Sequence, residues 1–363
     1  MRNYMIRVLQ IPGTLSRLDG RMSVLMNVYR NIDRSKIQFD FVTSTIGEKT
    51  YKNEIEELGG KVYVLHSDPS FGDMRKFVDN ILKNNNYQYM HYHAISPWGC
   101  VLNLGHKYGI KVITHSHATE FSDTFVKSIR NKIFSLNIIK DSDKLVAVSP
   151  EAGKKLFGKH PFEYIPTWID KDKYLFSQEA RTTIRSKLGL SDEDILIGHV
   201  GRFAIQKNHD FMLKVFKKLV MQDKKYHIAF IGDGPLKEQF MEDVKENHLE
   251  NNVHFVGVVK NTADYYSAFD IFWLASRYEG LPTVSLEAQA NGLMVLASNR
   301  ITRQIAVGNV EFLPINTNSI DDWVKKTITN AKLRDNNVNQ EFINSVFQRS
   351  RVLEQWRNLY NTR

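Results

Sequence analysis

Short apolar runs recur along the chain, bounded by glycine, proline or polar residues, and longer stretches of helical period lie between several of them. The runs Ile6–Ile11, Phe39–Val42, Val62–Leu65, Tyr89–His93, Lys111–His115 and Lys144–Val148 read as strands. Arg21–Asn31, Tyr51–Leu58 and Asp73–Asn84 read as helices among them. The alternation then restarts with Ile195–Val200, Tyr226–Ile231, Val253–Val256, Ile271–Leu274, Met294–Ala297 and Val310–Leu313. Helices Asn208–Met221, Pro235–Asn247 and Pro282–Asn291 separate several of these. Strand–helix alternation argues for parallel sheets with crossover helices. One sheet holding every run would exceed the usual size, so the pattern predicts two doubly wound domains. They divide near Ile165–Tyr174, where Pro166, Trp168 and charged residues interrupt the pattern. A final helical stretch covers Gln340–Tyr360.

The 363 residues are 42% hydrophobic and 25% charged, which supplies material for buried cores. The lone cysteine, Cys100, excludes an intramolecular disulfide and fits a reducing compartment. The opening MRNYMIRVLQIPG reads as a first strand, not a signal peptide, and no apolar run is long enough to span a membrane. The expected location is therefore cytoplasmic. The net charge of +9 is uneven: residues 1–168 hold 23 Lys/Arg against 16 Asp/Glu. Nucleic acid is not the expected partner, since zinc-finger spacing, an RNP-like strand and a basic heptad region are all lacking. The segment Phe125–Lys140 carries Phe125, Ile129, Ile133 and Leu136 at helical spacing, with Lys127, Arg130 and Lys132 among them. It reads either as an amphipathic helix packed on the core or as a peripheral contact with the inner face of a membrane.

In open α/β sheets, ligands bind outside the carboxyl ends of the strands, so the residues there matter most. After the first strand, Asp19-Gly20 opens a helix, where glycine lets a ligand approach backbone N–H groups. The dinucleotide G-x-G-x-x-G spacing and a Walker lysine are both missing. His91 and His93, then His115 and His117, stand two apart at adjacent strand ends. Four histidines raise a metal hypothesis, but no carboxylate stands at tight ligand spacing, and a histidine touching bound substrate is the stronger reading. In HVGRFAIQKNHDF, Gly201, Arg202 and Lys207 put two cations and a close-approach glycine at one strand end, which suits a diphosphate. Gly232, Gly234 and Gly257 end the next two strands, where backbone groups can meet a planar base.

The stretch SRYEGLPTVSLEAQANG places Glu279 and Glu287 on either side of a helix start at Gly280-Leu281-Pro282-Thr283. Proline suits a first helical position, and the free N–H groups behind it face an anion. A fixed carboxylate accepts two hydrogen bonds and so matches a vicinal diol. Two carboxylates flanking an anion site describe a nucleotide sugar: ribose on one side, hexose on the other, phosphates between.

The ordered set of the Gly20 loop, His117, Gly201-Arg202 with Lys207, and Glu279-x7-Glu287 resembles the retaining glycosyltransferases of family 4. The resemblance spans essentially the whole chain, and LMNVYRNIDRSKIQFDFV looks like the bacterial capsule and exopolysaccharide members. It implies an α/β fold of GT-B type: two Rossmann-like domains facing across a cleft. Residues 1–168 would bind acceptor, residues 169–340 the nucleotide-sugar donor, and a helix in 341–363 would return to the first domain. It further implies that Arg202 and Lys207 stabilise the donor diphosphate, that Glu287 binds ribose, and that Glu279 binds the sugar beside the Leu281–Thr283 backbone. His117, with His115 as the alternative, would stand near the reaction centre. The implied reaction is metal-independent transfer of a hexosyl unit, from a UDP-sugar by expectation, to a lipid-linked saccharide with retained configuration. No cofactor is expected: Asp141-Ser142-Asp143 and Asp192-Glu193-Asp194 both precede strands, at the wrong sheet end for a donor-site metal. Rival readings are a nucleotide-sugar epimerase, a phosphorylase and a non-catalytic sugar-nucleotide-binding protein. Two departures stand out: Asp19-Gly20 replaces adjacent glycines, and Thr167-Trp168-Ile169-Asp170 replaces Asn-Gly-Ile-Asp.

Overall fold

The structure is a computed structural model and describes residues 5–361 except 18, 45, 48, 67, 95, 120–136, 336–340 and 343. Most of the basic segment 125–140 therefore lies outside the described residues. No helix among the described residues is long and apolar enough to cross a membrane.

The chain forms two compact units, Met1–Thr167 with Ser350–Arg363, and Trp168–Arg349. The first holds seven parallel strands: β1 (Ile6–Ile11), β2 (Ile37–Thr43), β3 (Val62–Val64), β4 (Tyr89–Ala94), β5 (Lys111–Ser116), β6 (Lys144–Ala147) and β7 (Glu163–Tyr164). Their order is β3-β2-β1-β4-β5-β6-β7, so the winding reverses between β1 and β4. The two-residue β7 carries no readable period, which is why the pattern omits it. Leu9, Ile11, Val42, Met90, Tyr92 and Trp98 fill one core, with helix Phe71–Asn84 packing Met74, Val78, Ile81 and Leu82 into it. Each such buried side chain contributes roughly 1.5–3 kcal/mol. The opposite face is less apolar: Gln10, His91, His93 and His115 lie on it, all fully buried. Trp356 and Tyr360 of helix Arg349–Asn361 cover that face.

The second unit holds β8 (Ile195–Val200), β9 (Tyr226–Ile231), β10 (Val253–Gly257), β11 (Ile271–Leu274), β12 (Val295–Ser298) and β13 (Val310–Leu313), all parallel. Their order is β10-β9-β8-β11-β12-β13, with the reversal between β8 and β11. Phe211, Met212, Val215, Phe216 and Leu219 of helix His209–Gln222 pack on one face with Trp273 and Trp323, while Phe272, Leu274, Leu286 and Tyr266 pack on the other. Beneath the amino ends, Asp270 accepts from Arg181 at 2.6 Å, Arg185 at 3.0 Å and the Leu196 amide at 2.7 Å, so this buried charge is paired.

One expected element is corrected. The terminal stretch is not one helix over 340–360, because Ser345–Phe347 form a turn and the helix starts at Arg349. The Ser345 hydroxyl donates to the Phe342 carbonyl and accepts from the Phe347 amide at 3.2 Å, competing with helical pairing there.

Candidate functional site

The reversal between β8 and β11 leaves a crevice at the carboxyl ends of those strands. The loop after β8 supplies Gly201, Arg202 and Lys207, and the loop after β11 supplies Tyr278 to Pro282. The loops are bolted together. The Arg277 amide donates to the Gln206 carbonyl at 2.8 Å, and the Gln206 side chain donates to the Tyr278 carbonyl and to Glu279 Oε2, each at 3.0 Å. Asn208 adopts φ 59°, ends the short 3-10 turn Ile205–Lys207, and donates to the Ala275 carbonyl at 3.2 Å. Lys207 Nζ lies 2.6 Å from Glu279 Oε1, with only 12% and 9% of the two side chains exposed. Thus the sequence-predicted phosphate cation and sugar carboxylate stand within bonding distance of each other.

Gly201 and Gly232 let the ends of β8 and β9 meet. Gly232 has φ +139°, and a Cβ there would sit 2.1 Å from the Gly201 carbonyl oxygen. A Cβ on Gly201 would strike the Lys207 stem at 3.0 Å, so the glycine is what lets that stem lie across the backbone. Gly257 is also left-handed, at φ +80°, with open space beside it. Arg202 is exposed and, among the described residues, makes no ion pair. Below the loop, His199 Nδ1 donates to the Trp273 carbonyl at 2.9 Å, and His209 stacks on Phe203 at 4.4 Å. Burial drives His199 down to about 3 and His209 to about 2, so both are neutral and the loop's positive charge rests on Arg202 and Lys207.

Helix Thr283–Ala290 begins after Pro282, which is its cap and not its first turn. No side chain caps it, so its leading N–H groups point outward with the positive end of the helix dipole. Glu287 lies just over one turn further on, half-buried, and Tyr266 donates to its Oε2 at 2.9 Å. Burial raises the Glu287 carboxyl above its usual range, against the Tyr266 hydrogen bond and the Lys173 charge. A ribose hydroxyl donating to this carboxylate would relieve that desolvation.

In the first unit, Asp19 caps helix Gly20–Asn31 through the Arg21 and Met22 amides and pairs with the Arg21 guanidinium at 2.8 Å. Gly20 has nothing beside its Cα, so the helix start stays open although adjacent glycines are replaced. His93, fully buried, bonds His117 at 2.8 Å and Gln10 at 2.9 Å. His91 bonds Tyr360 at 2.7 Å. His115 stacks on His117 at 4.3 Å and has neither ring nitrogen partnered. Only His117 keeps exposure, at the strand end. Burial lowers all four below the ordinary histidine value, His115 to about 3.

His91, His93 and His115 each bring a nitrogen within 4.8 Å of the others, a spacing that permits a metal. Yet both nitrogens of His93 and one of His91 are already engaged, and among the described residues no carboxylate joins the set. Asp143 accepts from the Val112 amide at 2.7 Å, and Asp194 accepts from the Ser191 amide at 2.7 Å, so both aspartate motifs fasten amino ends of strands. Sequence reasoning missed Gln10, Gln206, Tyr266 and Tyr360. Gln10 had a signal, being a polar residue inside the apolar run IRVLQI of a buried parallel strand.

Residues 180–345 match the family model described as glycosyl transferases group 1, and residues 22–173 match that of glycosyltransferase family 4. A Bacillus subtilis protein named as glycosyltransferase EpsF is 31% identical over 85% of this chain and 83% of its own length. The capsular polysaccharide biosynthesis glycosyltransferase CapH of Staphylococcus aureus is 25% identical over 81% of this chain and 82% of its own. A UDP-Gal:alpha-D-GlcNAc-diphosphoundecaprenol alpha-1,3-galactosyltransferase of Escherichia coli is 26% identical over 70% of each. The crystal structure of Anabaena HepE in complex with UDP and glucose superposes with TM-score 0.77 at 16% identity, over 98% of this chain and 99% of that one. The likeness fixes the fold as GT-B.

Proposed function

The chain belongs to the family 4 glycosyltransferases, and from that premise we propose that it moves a hexosyl unit from a UDP-sugar to a lipid-linked saccharide in capsular or exopolysaccharide synthesis. The observation carrying this reading is the crevice between β8 and β11. There the exposed Arg202, the Lys207–Glu279 pair, the uncapped Thr283 helix start and Glu287 stand along one pair of strand ends. Arg202, Lys207 and the helix start take the diphosphate, Glu287 the ribose, and Glu279 the sugar hydroxyls. HepE holds UDP and glucose on the same fold, and the Escherichia coli relative is named for a UDP donor and a diphosphoundecaprenol acceptor.

In the proposed step the bond from the sugar's anomeric carbon to the diphosphate breaks, and an acceptor hydroxyl oxygen bonds that carbon on the same face. The hydroxyl proton passes to the departing phosphate oxygen. Arg202 and Lys207 stabilise the growing charge, so the reaction needs no metal. We place the reaction in the cytoplasm at the inner membrane face, in keeping with the lone Cys100 and the lipid-linked acceptor. The test is a panel of UDP-glucose, UDP-galactose and UDP-N-acetylglucosamine, screened first for protection against thermal unfolding and then for sugar transfer with and without chelator. Donor conversion without acceptor would mark an epimerase, tight binding without turnover a binding protein, and loss of turnover with chelator a metal-dependent enzyme.

A further inference from the structure

The buried polar groups behind His117 form a chain with a direction. It starts on helix Arg349–Asn361, where the Tyr360 hydroxyl oxygen receives the Gln10 side-chain N–H at 3.2 Å. That orientation leaves Gln10 Oε1 as an acceptor, 2.9 Å from His93 Nε2, so His93 carries its proton on Nε2. A second proton on His93 would put a cation in a fully buried site beside His115, His117 and the Arg21 guanidinium. His93 Nδ1 is therefore a bare lone pair. It lies 2.8 Å from His117 Nε2, and the bond forms only if His117 carries its own proton there. His117 Nδ1 is then the free lone pair. Among the described residues nothing is seen to bond it, and His117 alone of the four histidines keeps exposure, at the strand end.

We propose that Gln10, His93 and Tyr360 are positioning residues that hold His117 neutral in its Nε2–H tautomer, presenting Nδ1 as an acceptor for a sugar hydroxyl. The inference rests on the reading of His117 as a group that touches substrate. It narrows the chemistry: a lone pair at Nδ1 accepts from a hydroxyl and repels a phosphate oxygen, so His117 meets a sugar hydroxyl and not a phosphate. The groups facing the chain agree with a neutral ring. Arg21, itself paired with Asp19 at 2.8 Å, lies close enough to disfavour protonation of His93 and His117. His115 stacks on His117 at 4.3 Å, meets Trp356 tilted at 5.5 Å, and among the described residues offers no competing hydrogen bond. The Tyr360 hydroxyl also meets His91 Nδ1 at 2.7 Å, which anchors the start of the chain twice.

The test is nitrogen NMR of the full chain labelled at histidine, without ligand, with His117→Ala used to assign the ring. The expected spectrum has His117 neutral at pH 7 with its proton on Nε2. Gln10→Leu is expected to move it toward the Nδ1–H form, with the near-isosteric Tyr360→Phe shifting it less. Turnover with the donor chosen from the three-sugar panel should fall about tenfold or more in Gln10→Leu, since a wrong imidazole tautomer costs up to ~10⁴ elsewhere. Hydrogen-exchange protection of the β1, β4 and β5 amides in the first unit should stay within about twofold of the parent, which a misfolded variant would not allow. An Nδ1–H or charged His117 in the parent chain, or an unchanged tautomer in Gln10→Leu, overturns the inference. Full turnover in His117→Ala overturns the underlying reading of His117 instead, whatever the tautomer.

Discussion

Replacing Lys207 by Met and Glu279 by Gln, singly and together, separates what this pair does for the fold from what it does for the reaction. The two charges lie 2.6 Å apart with 12% and 9% of the side chains exposed, so neither regains full hydration when the other is removed. In Lys207→Met the Glu279 carboxylate loses its cation while the Gln206 donor at 3.0 Å remains, and in Glu279→Gln the Lys207 ammonium loses its counter-ion. Breaking one side of a buried pair costs about 3–5 kcal/mol, and the residual exposure here places each single variant near ~3 kcal/mol. In the double variant no charge is stranded, so its cost should fall below the sum of the singles by about 2 kcal/mol or more. Hydrogen exchange of the β8, β9 and β11 amides reads the second unit separately from the first. Turnover should not follow stability. The double variant is expected to regain protection yet remain at least about 100-fold slower, because the diphosphate has lost a fixed cation. Single variants within about 0.5 kcal/mol of the parent would refute the buried-pair argument, and recovered turnover in the double variant would refute the phosphate role of Lys207.

Other outcomes follow from the same geometry. His115 has a folded value of about 3 against its ordinary 6.5, so the folded ring stays neutral while the unfolded chain takes up a proton below 6.5. Stability from this ring is complete above pH 6.5 and is lost as the pH falls toward 3. The loss is ~2 kcal/mol at pH 5, and His199 and His209 add similar losses in the second unit. Urea titrations at pH 7.5 and 5 check it, and equal midpoints would contradict it. Gly232→Ala places a methyl 2.1 Å from the Gly201 carbonyl at φ +139° and should destabilise the second unit by about 3 kcal/mol or more, lowering its melting temperature. Tyr266→Phe removes the hydroxyl that fixes Glu287 and should weaken UDP binding about 3- to 10-fold by calorimetry, with the fold intact.

The strands were legible because a parallel sheet is buried on both faces, so runs such as Ile195–Val200 read as unbroken apolar segments. Short elements were not: Glu163–Tyr164 is too brief to show a period, and the Ser345–Phe347 turn depends on one hydroxyl. Arg202, Lys207, Glu279 and Glu287 could be assigned to strand ends from glycine and proline punctuation alone. Their pairing could not, since the Lys207–Glu279 contact depends on β8 and β11 being neighbours, which strand order decides. The chain behind His117 lay further out of reach. Gln10 and Tyr360 are 350 positions apart and meet only because the terminal helix packs on the face that carries Gln10.

The most direct test of the central claim follows radiolabelled sugar from each UDP-sugar of the panel into a lipid-linked saccharide pool in vesicles, with chelator present, comparing the parent chain with Arg202→Ala. The account predicts label in the lipid fraction with the anomeric configuration of the donor, and a loss of about 100-fold or more in Arg202→Ala. Undiminished transfer by Arg202→Ala, inverted product, or UDP release only when metal is restored would contradict it.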